Sequence, residues 1–177
     1  MWKLISSKEI FKHPRLTLIE DEVILPSGIK TFYLRFKDTG DCCATIIARK
    51  NGKILVQKEF SYPVGEKIFQ FPGGGVRPDE KPEDGANREF MEECGYKATN
   101  FSLLGSYLMS NRRSKQKMYI FLTDDFKEIS LPEDNEESDI ENIWLSEKEI
   151  DDMIKNDQMD NIHLLASWSL YQKVRGN

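Results

Sequence analysis

The segment 73–96, GGGVRPDEKPEDGANREFMEECGY, constrains the fold more than any other stretch of the chain. Pro82 suits the first turn of a helix, where its missing N–H is not needed. Glu83 and Asp84 place negative charge at the positive end of the helix dipole. Gly95 suits the left-handed residue that ends a helix. These positions predict a helix over residues 82–94. On it, Glu89 and Glu93 lie four apart on one face, and Glu92 joins them three from Glu89. Like charges at such spacing cost about 0.2–0.5 kcal/mol per pair, so the crowding needs a compensating partner. Ala86 and Phe90 flank this face and can pack under a sheet.

The rest of the chain reads mostly as strands. Residues 16–25 and 30–36 are alternating runs separated by Pro-Ser-Gly, a turn sequence. Residues 42–49 and 53–60 flank Asn51-Gly52, the strongest short hairpin pattern. Residues 67–71 form a further short strand. Residues 101–109 and 117–123 flank the basic tip Ser-Asn-Arg-Arg-Ser-Lys-Gln. Residues 140–146 are a strand ending at Ser146, which can cap a helix beginning at Glu147. Residues 160–175 carry Ile162, Leu165, Trp168 and Tyr171 near helical spacing and predict a closing amphipathic helix whose aromatic residues pack in the core. Many strands with few helices predict an α+β fold, a mixed sheet with helices packed on it.

A chain of 177 residues suits a single domain with a sizeable core, and a net charge of -5 argues against general nucleic-acid or anionic-membrane surfaces. No apolar run approaches the roughly 18 residues of a membrane span, and the first residues lack the pattern of a signal peptide. Cys42, Cys43 and Cys94 lack CxxC spacing, which favours reduced, buried thiols, a cytosolic setting and no zinc site. His13 and His163 fall in an early strand and the closing helix, which argues against histidine-based nucleophilic catalysis.

Gly73, Gly74 and Gly75 permit backbone conformations that a Cβ forbids. A carbonyl there can turn toward a metal, and the backbone can approach a phosphate. Clustered carboxylates plus a carbonyl form a hard, all-oxygen site suited to Mg²⁺ or Mn²⁺. Mg²⁺ completes its shell from water and substrate phosphates, so a diphosphate ligand fits, and bound cations offset the glutamate repulsion. Arg88 can turn back to Glu80 and brace the loop onto the helix.

Gly74, Glu80, Arg88, Glu89, Phe90, Glu92, Glu93, Gly95 and Tyr96 fill the pattern G-x5-E-x7-R-E-U-x-E-E-x-G-U, where U is apolar. In this the chain resembles the Nudix hydrolases, and the box occupies residues 74–96. The resemblance implies an α-β-α sandwich around a mixed sheet. The strands before Cys42 and the run 58–74, KEFSYPVGEKIFQFPGG, are similar to the ADP-ribose pyrophosphatase branch. That implies residues 1–40 as an N-terminal strand extension used for homodimerisation, and residues 41–177 as the hydrolase domain.

Carried over by position, the resemblance implies Glu89 and Glu93 as main metal ligands, with Glu92 assisting and the Gly73 carbonyl as a further ligand. Glu80 and Arg88 are the structural brace. The expected reaction is Mg²⁺-dependent hydrolysis of a nucleoside diphosphate sugar, with ADP-ribose first, in the cytoplasm. The alternatives are another nucleoside diphosphate derivative or a triphosphate, and a non-catalytic module that senses a nucleotide. Residues 133–139 lie where that branch often places a catalytic glutamate, which makes Glu137, or Glu136, the candidate general base. Ser61 stands where the branch often has a phosphate-binding arginine. Arg112 and Arg113 are candidates to replace it, or else a solvated hairpin tip.

Overall fold

Turn chemistry fixes how neighbouring strands are joined. The computed structural model describes residues 1–38, 42–129 and 139–176. At the Asn-Gly turn both residues adopt left-handed backbone, with φ of 52° at Asn51 and 74° at Gly52. This is the twist that lets a two-residue loop join paired strands.

The described chain divides into two compact units, Met1–Asp41 with Leu108–Lys117, and Cys42–Tyr107 with Met118–Asn177. In the first, β1 (Lys3–His13), β2 (Leu16–Ile24) and β3 (Lys30–Phe36) form an antiparallel sheet in that order. Among the described residues of this unit only Ile19, Asp21 and Val23 are buried, on alternate positions of β2, whereas every residue of β1 is exposed. Asp21 is buried because Arg35 grips it, with Nε to Oδ2 at 2.6 Å and Nη2 to Oδ1 at 3.2 Å, and Ser7 Oγ donates to Oδ1 at 2.6 Å. The tip 108–117 joins this sheet through backbone groups. Phe36 N donates to Arg113 O at 2.8 Å, and Tyr33 Oη donates to Arg112 O at 2.6 Å.

The second unit is built on a seven-stranded mixed sheet. Its central path runs β12 (Glu141–Ser146), β5 (Lys53–Ser61), β4 (Cys42–Lys50), β10 (Lys117–Thr123) and β9 (Ser102–Leu108). β6 (Glu66–Gln70) pairs with β5, and β7 (Gly75–Val76) pairs with β4. β4 and β10 run parallel, while β4 with β5 and β5 with β12 are antiparallel. β8 (Tyr96–Ala98) and β11 (Phe126–Glu128) form a separate antiparallel ribbon.

Residues 44–48 of β4 are all buried, as in a strand covered on both faces. On one face Ala44, Ile46, Ala48 and Leu55 pack with Ala86, Phe90 and Cys94 of α1 (Pro82–Cys94). Phe90, Tyr96, Phe126 and Trp144 continue this layer as a chain of ring contacts. α3 (Ile162–Arg175) packs against β6 and sets Trp168 6.2 Å from Phe71. α2 (Glu147–Lys155) starts with a reciprocal capping box between Ser146 and Glu149. Trp168 Nε1 ties α3 to Asp151 of α2 at 2.7 Å. The α+β class expected from the sequence is what forms. Cys94 is buried and Cys42 and Cys43 are half-buried, none of the three in a disulfide. Burial, with Cys42 alongside, pushes the Cys43 thiol up to about 11.

Candidate active site

The helix α1 carries its apolar and acidic residues on adjoining stripes. Ala86, Phe90 and Cys94 sink into the sheet, and this draws Glu89 and Glu93 under cover as well, each 8% exposed. Glu92 lies at the outer edge, with 42% of its side chain exposed. Pro82 opens the helix, and Gly95 closes it at φ 69°, its N–H donating to the Met91 and Phe90 carbonyls.

The loop before the helix is shaped by two glycines. Gly73 has φ 141°, and a Cβ there would stand 2.1 Å from Ala44 O. Pro72 O accepts from Ile46 N at 2.8 Å and Gly74 O from Ala44 N at 3.0 Å, so the loop rides along β4. Between them the Gly73 N–H faces the helix and donates to Glu93 Oε2 at 3.0 Å. A Cβ on Gly74 would lie 2.7 Å from the Glu89 carboxylate. Gly75 O accepts from Arg88 Nη2 at 2.7 Å. Among the described residues, Gly73 is the one position of 72–75 whose carbonyl accepts no hydrogen bond.

Arg88 holds three carboxylates with one guanidinium. Its Nε and Nη2 donate to the two oxygens of Glu80, both at 3.2 Å. Its Nη1 donates to Glu89 Oε1 at 2.8 Å and Glu92 Oε2 at 2.9 Å. The Glu80–Arg88 brace expected from the sequence is therefore present. The Arg88 hydrogen bond holds the Glu80 carboxyl below its usual range. Glu89 moves the other way: burial raises it, Arg88 pulls it down without cancelling that, and Glu92 and Glu80 add repulsion. Among the described residues, the Glu80, Glu89 and Glu92 carboxylates share the Arg88 guanidinium.

This donor set fits a hard divalent cation. The Glu89 carboxylate packs against Gly74 and the Glu93 carboxylate against the Gly73 N–H, so oxygen donors meet the glycine loop with no histidine or thiolate among them. Among the described residues no three acidic, His or Cys side chains already stand as a metal cage, since Glu89 and Glu92 are turned to Arg88.

The remaining sequence candidates are Glu136, Glu137, Arg112 and Arg113. Glu136 and Glu137 fall outside the described residues. The segment that follows them is fastened at Asp139, whose Oδ1 meets Lys67 Nζ at 2.9 Å. Arg113 is committed to the first unit, over the Tyr33 ring at 5.9 Å and donating to Leu34 O at 3.2 Å. The Arg112 guanidinium makes no hydrogen bond or ion pair among the described residues. Sequence reasoning passed over Gln57 and Asn142. Asn142 Nδ2 donates to Glu93 O at 3.1 Å, and Gln57 Nε2 reaches Cys94 Sγ at 3.4 Å. A polar residue inside the apolar run Ile-Leu-Val-Gln was the available clue to the first.

Residues 40–167 match the family model described as NUDIX domain. An ADP-ribose pyrophosphatase of Bacillus subtilis is 29% identical over 77% of this chain and 72% of its own length. The ADP compounds hydrolase NudE of Escherichia coli is 26% identical over 75% of this chain and 72% of its own. A solved structure, titled as that of an ADP compounds hydrolase, superposes with a TM-score of 0.89, covering 97% of this chain and 92% of that one at 18% identity. No described helix is long and apolar enough to cross a membrane. A complete box folded as loop, brace and acidic helix, inside a family match that spans most of the chain, places this protein in the Nudix family, as a hydrolase of the pyrophosphatase class related to the ADP-ribose pyrophosphatases.

Proposed function

We propose that the protein hydrolyses the diphosphate bond of a nucleoside diphosphate sugar, with ADP-ribose its preferred substrate, and that Mg²⁺ is its cofactor. The observation that carries this reading is the imbalance at Arg88, where three glutamates share one guanidinium while Glu93 rests on the Gly73 N–H. An acidic site of that kind accepts a polyanionic diphosphate only with cations between them. Glu89, Glu93 and the Gly73 carbonyl would hold the ion, and Glu92 would assist. Mn²⁺ suits the same oxygens. When bound, the metal lowers the pKa of water and offsets charge on the phosphate oxygens.

The chain's own residues supply placement. The Gly73 N–H orients Glu93, and Arg88 fixes the acidic helix against the Gly75 carbonyl. A water oxygen attacks one phosphorus, and the P–O bond to the bridging oxygen breaks. The bridging oxygen leaves with the second phosphoryl group, giving a nucleoside monophosphate and a sugar phosphate. Glu137, or Glu136, would take the proton from the water. Arg112 would meet a substrate phosphate, with Arg113 supporting the same tip.

The exposed apolar residues of the N-terminal sheet, including Leu4, Phe11, Phe32 and Leu34, support a homodimer formed through residues 1–40, because monomers rarely leave such a surface uncovered. The likeness to an ADP-ribose pyrophosphatase and to NudE supports an ADP-containing substrate in the cytoplasm. Incubation with Mg²⁺ and a panel of nucleotide sugars and triphosphates, with products separated by chromatography, tests the reading. Preferred release of AMP from ADP-ribose is expected. Faster turnover of a triphosphate would replace the substrate, and binding with no turnover of any member would favour a sensing role. Light scattering tests the dimer.

A further inference from the structure

Two amides hold the far end of the acidic helix to the sheet. Asn142 on β12 and Gln57 on β5 are direct cross-strand partners, so their side chains lie on the same face. That face carries the last turn of α1. There, helical carbonyls have no partner within the helix. Gly95 N–H serves Met91 and Phe90, which leaves the Glu93 carbonyl to be met from outside. No basic residue stands in that turn to do so. The Asn142 amide does it instead at 3.1 Å. One residue further on, Gln57 Nε2 donates to Cys94 Sγ at 3.4 Å.

Glu93 is thus held at both ends, its carboxylate by Gly73 N–H and its carbonyl by Asn142 Nδ2. Gln57 is fully buried, and its Oε1 is the one buried side-chain polar atom among the described residues without a hydrogen-bond partner. Burying half an amide unsatisfied is unfavourable, and a methionine of similar length would pack there without that penalty. Stability alone therefore does not account for an amide at 57. We propose that Asn142 and Gln57 are positioning residues that fix the last turn of α1 and thereby set Glu93 for metal binding. This rests on the reading of Glu93 as a metal ligand.

The two roles separate experimentally. Mn²⁺ binding to the substrate-free protein is followed by the loss of the free-ion electron paramagnetic resonance signal, alongside thermal unfolding without metal and kinetics with ADP-ribose. Asn142→Leu and Gln57→Met should each weaken Mn²⁺ binding about three- to tenfold, the worth of one net hydrogen bond. The value of kcat should fall by a similar factor, with KM changed less than twofold. Gln57→Met should unfold at the same temperature as the parent or higher, a combination that a packing role does not give. Asn142→His, which keeps an N–H at similar reach, should bind Mn²⁺ within about twofold of the parent, on the same hydrogen-bond scale.

Glu93→Gln is the control. If it binds Mn²⁺ like the parent, the metal reading of Glu93 falls. If it loses Mn²⁺ while Asn142→Leu and Gln57→Met do not, only the positioning inference falls. An Asn142→His protein as impaired as Asn142→Leu would also overturn it. Should one variant fail to fold by circular dichroism, the other decides.

Discussion

Two arginines, one in each unit, grip acidic side chains in opposite ways. Arg35 serves a single carboxylate, Asp21, through two hydrogen bonds. The Arg35 contact, with Ser7 adding to it, holds that carboxyl below its ordinary range despite burial. Arg88 divides its fork among Glu80, Glu89 and Glu92, and Glu89 is raised. A balanced pair is complete in itself and serves the fold. A guanidinium shared by three carboxylates cannot pair each of them fully, and under the proposed function a cation from solution would complete the arrangement. Both look alike as buried acid beside arginine, and only the ratio distinguishes them.

The largest test of this contrast is Glu93→Gln. It should lower kcat by about a hundred- to a thousandfold, since metal stabilisation is worth several kcal/mol and each 1.36 kcal/mol is a factor of ten. Far-ultraviolet circular dichroism should be unchanged. A variant with full activity would remove Glu93 from the metal set. Next is Arg88→Ala, which leaves buried Glu89 without its counter-charge and should cost about 3 kcal/mol in urea unfolding without metal. Millimolar Mg²⁺ should return part of that loss by preferential binding to the folded state. The matching Arg35→Ala should show no Mg²⁺ recovery, and equal recovery in both would erase the distinction between the two sites.

Asp21→Asn is the smaller and pH-dependent test. The native carboxyl of Asp21 titrates below its unfolded value, so its contribution is present above an ordinary aspartate pKa and is lost as pH falls through the depressed native one. The variant should be about 1 kcal/mol less stable at pH 7, with the gap narrowing below about pH 4. A gap that stayed constant with pH would mean the carboxylate charge does not matter there. The smallest expected effects are at the tip. Arg112→Ala should raise KM for ADP-ribose several-fold, about the worth of one charge-assisted hydrogen bond. Arg113→Ala should mainly cost about 0.5–1 kcal/mol through its lost place over Tyr33. Unchanged kinetics for Arg112→Ala would return that residue to a solvated hairpin tip.

The site was legible where one residue type has one physical use. Pro82 and Gly95 bounded the helix at both ends, and the Asn51-Gly52 turn fell where its chemistry required. The Glu80–Arg88 brace was also readable, because spacing across a glycine loop allowed it. β1 was not, since none of its residues is buried and an exposed strand shows no two-residue alternation. β8 and β11 are three residues each, too short to show a period. Arg88's hold on Glu89 and Glu92 was hidden for another reason. The sequence pattern assigns Arg88 one partner, whereas a guanidinium has donors enough for several. The bonds from Asn142 and Gln57 depend on two strands pairing in one register beneath the helix, which local sequence does not encode.

The first unit is not continuous in sequence. Tyr33 Oη meets the carbonyl of Arg112, 79 residues further along, and Phe36 is bonded to Arg113. On a ribosome the three N-terminal strands emerge well before the tip that completes them. They wait through the synthesis of the whole acidic helix with an exposed apolar face and an unpaired strand edge. The order of manufacture therefore makes the N-terminal sheet a late-finished part of the protein, although it is made first.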